Sequence, residues 1–359
     1  MGLAIALTFL VFGNSQIAAS ASSAEVSLLI EELGSTAGTP TIDTAVATSA
    51  YLCYSSRFEQ ESGVTVTTTD DDKLPLFHSA SISKLFTAVV IMQLRDEGKL
   101  SLSDHVGEYI PAFSEHSIRL EHLLTHTSGL RDRERSDGRR TREEVDAYIE
   151  TLARQRISKA PGTTWRYADS GFNLLGRVIE NVTRKSFSDV MRDRLLQPLG
   201  MKSSSFDIAR IPLDRRVSGF DKRGKQLQHP WDMAFLPSSG LQTNARELAR
   251  FARAVLSVNA GTDSNGILRF KTLQEMTAVR IATAWNGIDQ GYAWQIIESE
   301  SKSVWRHAGG EGGFESLFAI YPKVGIGIAA LGNQKDWPRF QLVQQIRDSV
   351  ANATTDLCN

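Results

Sequence analysis

Ser81 and Lys84 stand three residues apart in the run Ser81-Ile82-Ser83-Lys84. On a helix, residues i and i+3 share a face, so the hydroxyl and the ammonium can meet. That pairing suits nucleophilic catalysis. A serine hydroxyl is nearly inert at neutral pH until a neighbouring base takes its proton, and a partly desolvated lysine can take it or tune a second base. The N-terminus of a helix adds partial positive charge where an oxyanion would form. Taken alone the spacing is a weak signal, because a serine and a lysine three apart also occur on solvated helix faces.

The surrounding residues sharpen it. The stretch HSASISKLFTAVVIMQLRDEGKLSLSDHVGEYIP, residues 78–111, is followed in order by EHLLTHTSGL (121–130), PGTTWRYADSGFNLLGRVIENVT (161–183) and RLLQPLGMKSSSF (194–206). PSSGLQTNARELARFARAVL (237–256), GYAWQI (291–296) and RHAGGEGGFESLFAIYP (306–322) complete the series. Across residues 74–331 the chain resembles the serine beta-lactamase and penicillin-binding-protein superfamily, and within it the class C beta-lactamases with their DD-peptidase and esterase relatives.

The resemblance implies an activity and a set of roles. Ser81 would be the nucleophile and Lys84 its activating partner. A tyrosine from a second motif, usually Y-x-N, faces them in the family; the matching residues are Tyr167-Ala168-Asp169. Tyr167 is thus the candidate base, with Lys84 expected to bring its pKa down toward the working range. Without the other motifs, Tyr167 would read as an aromatic packed beside Trp165. Asp169 departs from the usual asparagine. A carboxylate only accepts hydrogen bonds where an amide also donates, so Asp169 either neutralises Lys84 or selects a substrate bearing an amine or hydroxyl. The third motif, commonly K-T-G, matches His307-Ala308-Gly309, a form that resembles esterases, peptidases and other non-lactamase relatives. A histidine is largely neutral at pH 7 and holds a substrate carboxylate less firmly than lysine does; its plain alternative is a surface residue on an edge strand. Gly309 and Gly310 let a strand approach substrate closely, and by analogy the backbone N–H groups of Gly310 and Ser81 form the oxyanion hole. The same GGEGG run also fits a hairpin end.

The elements that must position these residues follow from periodicity. Residues 83–97 form a strong helix, apolar at Leu85, Val89 and Met92 and stopped by Gly98, with Ser81 in its first turn. Residues 24–33 read as a helix ended by Gly34. Residues 44–57 and 64–69 read as two strands of a hairpin turning at 59–63. Helical patterns at 142–154 and 170–182 fall in a mostly helical insertion over about 101–233, and strands within 302–331 precede a terminal helix at 340–350. The expected fold class is α/β (α+β), beta-lactamase-like: an antiparallel sheet built from both chain ends, flanked by helices, with the helical subdomain inserted. His126 to Leu130 reads as a structural turn. The charged run 131–144 reads as a solvated loop; the alternative is that Arg135, Arg139 and Arg140 border the pocket and favour anionic substrates.

Composition excludes other classes. The chain has 359 residues, 41% apolar and 23% charged, enough for a large core over about 24–359. With 40 basic and 41 acidic side chains the net charge is −1, giving no field to hold nucleic acid. Residues 1–21 carry an apolar run followed by small residues and read as a signal peptide, though no basic residue precedes the run. An exported protein, periplasmic or secreted, with no stable span after cleavage is expected. Cys53 and Cys358 are the two cysteines; they pair, or Cys53 is a buried small hydrophobe as its apolar neighbours suggest. His and Cys spacing supports no metal site, and the chemistry needs no cofactor. The partner is then a small-molecule or peptide acyl substrate: an ester, a D-amino-acid peptide or a beta-lactam. The rival reading is a non-catalytic or penicillin-binding scaffold of the same fold.

Overall fold

The structure, a computed structural model, describes residues 23–60, 64–66, 73–132, 138–229, 231–262, 266–300 and 302–351. Strands β1 (Thr41–Ala47), β2 (Leu52–Glu59) and β3 (Val64–Val66) come first, and a short β4 (Phe77–His78) leads to the candidate serine. The short β5 (Gln242–Thr243) pairs with β4. Strands β6 (Ile281–Ala282), β7 (Asp289–Gln290), β8 (Gln295–Glu298), β9 (Ser303–Glu311), β10 (Phe314–Tyr321) and β11 (Ile326–Gly332) follow. One nine-stranded sheet runs in the order β3-β2-β1-β11-β10-β9-β8-β7-β6. Its pairs are antiparallel, and β1 joins β11 from Ile42 opposite Gly332 to Ala47 opposite Gly327. The two chain ends therefore meet in the middle of the sheet.

Helices cover both faces. They are α1 (Ser23–Ala37), α2 (Ser83–Asp96), α3 (Val106–Tyr109), α4 (Leu120–Leu124), α5 (Arg142–Ala153), α6 (Asp169–Thr183), α7 (Phe187–Met191), α8 (Leu236–Ser239), α9 (Ala245–Asn259), α10 (Phe270–Thr277) and α11 (Arg339–Ala351). Successive strand side chains point to opposite faces. Ile328 and Ala330 of β11, with Leu317 and Ala319 of β10, accordingly join one core with Val26, Ile30, Leu342 and Ile346 of α1 and α11. Ala329, Leu331, Phe318 and Ile320 join the other, larger core with α2, α6 and α9. Covering both faces explains why β11 reads as a continuous apolar run, buried at every position. A side chain on Gly327 would strike Ala252, so this glycine lets α9 lie close on the sheet.

Helix α2 is buried on nearly all sides. Each of Leu85, Phe86, Val89 and Val90 contributes roughly 1.5–3 kcal/mol by leaving water, which anchors the element carrying Lys84. Three expectations about the elements need correction. Helix α1 runs through Gly34 to Ala37, ending at Gly38 with φ 63°; Gly34 is needed because a Cβ there would enter the Phe58 ring. The single strand read over 44–57 is two strands, since Thr48 accepts from the backbone of Ala50 and Tyr51 and turns the chain. Ser81 lies in a 3₁₀ turn, Ala80–Ile82, ahead of α2 rather than in its first turn. The β2–β3 hairpin forms as expected. Cys53 is half-buried and disulfide-bonded, so the buried-hydrophobe reading does not hold; the signal segment and the tail with Cys358 lie outside the described residues. Among the described residues, no helix is long and apolar enough to cross a membrane.

Candidate active site

The turn bearing Ser81 is held in an unusual conformation. Ala80 has φ 50°, a left-handed value that costs a residue with a Cβ of order 1–3 kcal/mol. Hydrogen bonds from several elements fix it. The Ser79 hydroxyl donates to Leu241 O (2.9 Å), Ser83 donates to Ala80 O (2.7 Å), and Ser316 of β10 donates to Ser79 O (2.8 Å). From β4, the His78 Nδ1 accepts the Ala80 N–H (3.1 Å). Strand β9 presses on the same turn at Gly309, where a Cβ would stand 2.4 Å from Ser79 O and 2.3 Å from the Ser316 hydroxyl. Gly310, the next residue, is exposed and would tolerate a Cβ. The two readings of the GGEGG run therefore divide by position: Gly309 backs the turn, while Gly312 (φ 55°) and Gly313 (φ 85°) make the hairpin.

Lys84 is fully buried. Its Nζ donates to Ser81 Oγ (3.0 Å), Asp169 Oδ1 (2.5 Å) and Ser238 O (2.9 Å). An ammonium has three hydrogens and this one has three acceptors. Burial pushes the amine's pKa down, but the Asp169 carboxylate, then Tyr167, outweigh it and leave it raised. Lys84 is thus a cation at neutral pH. Asp169 opens α6, where the helix N-terminus favours an anion. The adjoining Ser170 is tied by its N–H and hydroxyl to Asp132 (both 2.8 Å).

Tyr167 stands just before α6 and is gripped by His126. Its ring stacks on the imidazole with centroids 4.3 Å apart. His126 O accepts the Arg166 N–H (2.7 Å), and His126 Nδ1 accepts the Ala168 N–H (3.2 Å), so both neighbours of Tyr167 are held. Lys84 Nζ lies 5.0 Å from the phenol ring centre. Contrary to the expectation that Lys84 would bring the phenol toward the working range, its pKa is raised: burial, helped by Asp169, exceeds the opposing effect of Lys84. Tyr167 rests as a neutral phenol.

His307 is buried in β9, flanked by β10 and β8, and is no edge-strand surface residue. Its Nδ1 lies 2.8 Å from Ala308 O, and a carbonyl only accepts, so Nδ1 carries the proton. Nε2 is then an acceptor, with no hydrogen-bond partner among the described residues. Burial first, then Lys84, push His307 down to about 3, so it is neutral. The ring lies 6.2 Å from that of Tyr167.

Lys84, Asp169, Tyr167 and His307 thus gather beside Ser81, Gly309 backs its turn and Gly310 follows as an exposed residue of β9, and similarity to known proteins bears on what the cluster is. A family model described as Beta-lactamase matches residues 60–352. The chain belongs to the beta-lactamase family, which is a family of serine hydrolases. Penicillin-binding protein 4 of Amycolatopsis lactamdurans is 29% identical over 76% of this chain and 74% of its own length. The D-alanyl-D-alanine-carboxypeptidase/endopeptidase AmpH of Escherichia coli K12 is 23% identical over 77% of this chain and 75% of its own. In structure, the D-alanine carboxypeptidase AmpC of Burkholderia cenocepacia superposes with a TM-score of 0.74 at 22% identity, covering 90% of this chain and 97% of that one. A class C beta-lactamase gives 0.73 at 21% identity, covering 92% and 95%. These structures support the beta-lactamase-like fold.

Within this beta-lactamase family member, sequence reasoning missed three supports of the site. The Ser238 carbonyl carries no side-chain signal, and only folding brings it to Lys84. His126 was visible as part of a turn, and it does adopt one (φ 57°), but its grip on Tyr167 was not. His78 lay in the quoted motif without a role. The arginine alternative finds no support in the described residues: Arg139 pairs with buried Asp232 (2.6 Å), and Arg140 lies over the Trp231 ring (4.9 Å). Arg135 lies outside the described residues. Among those residues, no cluster of side chains suits a metal ion.

Proposed function

We propose that Ser81 is the nucleophile of an acyl-transfer hydrolase, a reading carried by the three-way bonding of Lys84 to Ser81, Asp169 and Ser238. Because Lys84 donates to Ser81 Oγ, the serine hydrogen is free to point at another acceptor. Tyr167 takes it once the Lys84–Tyr167 pair has lost one proton, and returns it to the leaving group. The Ser81 and Gly310 amides stabilise the oxyanion, Asp169 and His307 meet the substrate, Gly309 admits the strand, and water releases the acyl group.

Small esters and D-amino-acid peptides rank above beta-lactams as substrates. A neutral His307 offers no cation to a substrate carboxylate, and Asp169 adds negative charge beside it. The relatives' names keep D-alanyl peptides and penicillins in the set to be tried. The protein is proposed to be exported after removal of residues 1–21.

Intact-mass spectrometry of the exported protein tests these points together. The parent and Ser81→Ala are each incubated with a fluorophosphonate, a penicillin and an activated ester. Expected are a mass lacking the leader and adducts that vanish in the variant, with the ester adduct turning over faster than the penicillin adduct. No adduct with any reagent supports a non-catalytic scaffold, and a long-lived penicillin adduct with no ester turnover supports a penicillin-binding role.

A further inference from the structure

We propose that Trp165 and Trp285 form an aromatic subsite beside Tyr167 that receives an apolar or aromatic leaving group of the substrate, an inference that rests on the acyl-transfer reading above. Trp285 is a large aromatic left 39% exposed. It lies on the connection between β6 and β7, whose bases are paired at Ile281–Gln290 and Ala282–Asp289. That connection is a hydrogen-bonded turn. Thr283 Oγ1 accepts the Trp285 N–H (3.0 Å) and donates to Ile288 O (2.5 Å), while the Ile288 N–H donates to Trp285 O (3.2 Å). Gly287 (φ 69°) supplies the bend. The indole is presented in a fixed place.

Its ring meets Trp165 edge-on at 4.7 Å and Tyr167 at 5.7 Å. Trp165 is itself oriented from below. Its indole N–H donates to Gln290 Oε1 (3.3 Å), and the buried Gln290 amide nitrogen donates to Gly291 O (3.0 Å) and Trp294 O (3.1 Å), which sets the amide the right way round. The half-buried Trp165 and the exposed Trp285 make one wall of two indoles, apolar on their faces and ordered before any ligand arrives.

The side of the reaction follows from proton transfer. A group that protonates the leaving atom must come within about 2.6–3.2 Å of it, so whatever is attached to that atom departs past the surroundings of Tyr167. The other neighbours of that ring cover it or are polar. His126 covers it by stacking, Lys84 is bonded to Ser81, Asp169 and Ser238, and His307 sits in β9. The indole wall is the surface left for the departing group. An alcohol or amine with an aromatic ring two or three bonds away fits it, by stacking and by loss of water from both faces.

The test compares propyl and 3-phenylpropyl esters of one acid, whose alcohols leave equally well, in the parent, Trp285→Ala and Trp285→Phe. The phenylpropyl ester is expected to have the higher kcat/KM by at least about tenfold in the parent. Trp285→Ala should lose most of that preference, and Trp285→Phe should fall between. A series varying the acyl part at constant propanol should respond less to the same substitutions. No preference in the parent, equal loss on both esters, or a larger change in the acyl series overturns the subsite. A fluorophosphonate adduct on Ser81, read in the same samples, reports separately on the acyl-transfer reading. Where no ester turns over, ligand-observed NMR compares 3-phenyl-1-propanol with 1-propanol: tighter binding of the former that Trp285→Ala removes supports the subsite, and equal binding overturns it.

Discussion

Asp169 decides how the protons of Lys84 and Tyr167 are held. With the carboxylate 2.5 Å from Lys84 Nζ, the lysine keeps its proton despite full burial, and Tyr167 keeps its own because burial and the same carboxylate oppose ionisation. The resting pair carries one proton too many for Tyr167 to accept another. Acylation should therefore accelerate as pH rises from neutral into the alkaline range. Replacing the carboxylate by an amide leaves burial dominant at Lys84, which lowers its pKa. In Asp169→Asn the rising limb of kcat/KM against pH should move down by about one unit or more, giving roughly tenfold faster acylation at pH 7. A limb that stays in place or moves up would show that Asp169 does not set the protonation of the pair. The identity of these residues was legible in the sequence, including the departure of Asp169 from asparagine. The sign of the Tyr167 shift was not, because it is the difference between burial and two opposing charges, and burial appears only with the fold.

At the scale of elements, periodicity located the helices α2, α5, α6 and α11 within a residue or two, because each has one strongly apolar face or is apolar throughout. What periodicity does not describe is the junction between elements, and Ser81, the proposed nucleophile, sits at one. Ala80 adopts its left-handed conformation because the side chains of His78 on β4, Ser316 on β10 and Ser83 bond the turn's backbone groups, while the Leu241 carbonyl accepts both the N–H and the hydroxyl of Ser79. His78 acts here as a positioning residue, its Nδ1 accepting the Ala80 N–H while Nε2 faces Glu311 at 3.9 Å. His78→Leu leaves that N–H without its acceptor, at a cost of about 1–3 kcal/mol that relaxing the turn would relieve. Moving Ser81 by a fraction of an ångström should lower kcat by about tenfold to a hundredfold with KM little changed. An asparagine places an oxygen near the Nδ1 position, so His78→Asn should restore most of kcat. Steady-state kinetics on one ester decides; parent-like kcat in His78→Leu, or no recovery in His78→Asn, would remove His78 from this role.

Across the whole molecule, the sheet closes because β1 from one end of the chain inserts beside β11 from the other, and α9 locks them together. Strands at both ends were legible in the sequence as β-branched and apolar runs. Their order was not, since pairing between distant segments depends on which faces the helices cover. Asp43 of β1 lies at the centre of this closure. Its buried carboxylate accepts the Ala245 N–H at the start of α9 (2.8 Å) and stands opposite Arg57 on β2. Burial, only partly opposed by Arg57 and that hydrogen bond, raises its pKa from 3.8 to about 6. The folded chain then binds more protons than the unfolded one between those values, so this group's contribution to stability declines as pH rises from about 4 to 6 and stays reduced above. Roughly two units correspond to as much as about 3 kcal/mol. Asp43→Asn removes the titration; the attraction to Arg57 is already counted in the raised pKa, so the offset that remains is only that of exchanging a neutral carboxyl for an amide. Urea unfolding at pH 4, 5, 6 and 7 should show the stability of Asp43→Asn relative to the parent increasing by up to that amount through the window, then levelling. A difference that is flat from pH 4 to 7 would mean that Arg57 and the α9 amide balance burial and leave Asp43 its ordinary acidity, and one that falls would mean that they outweigh it.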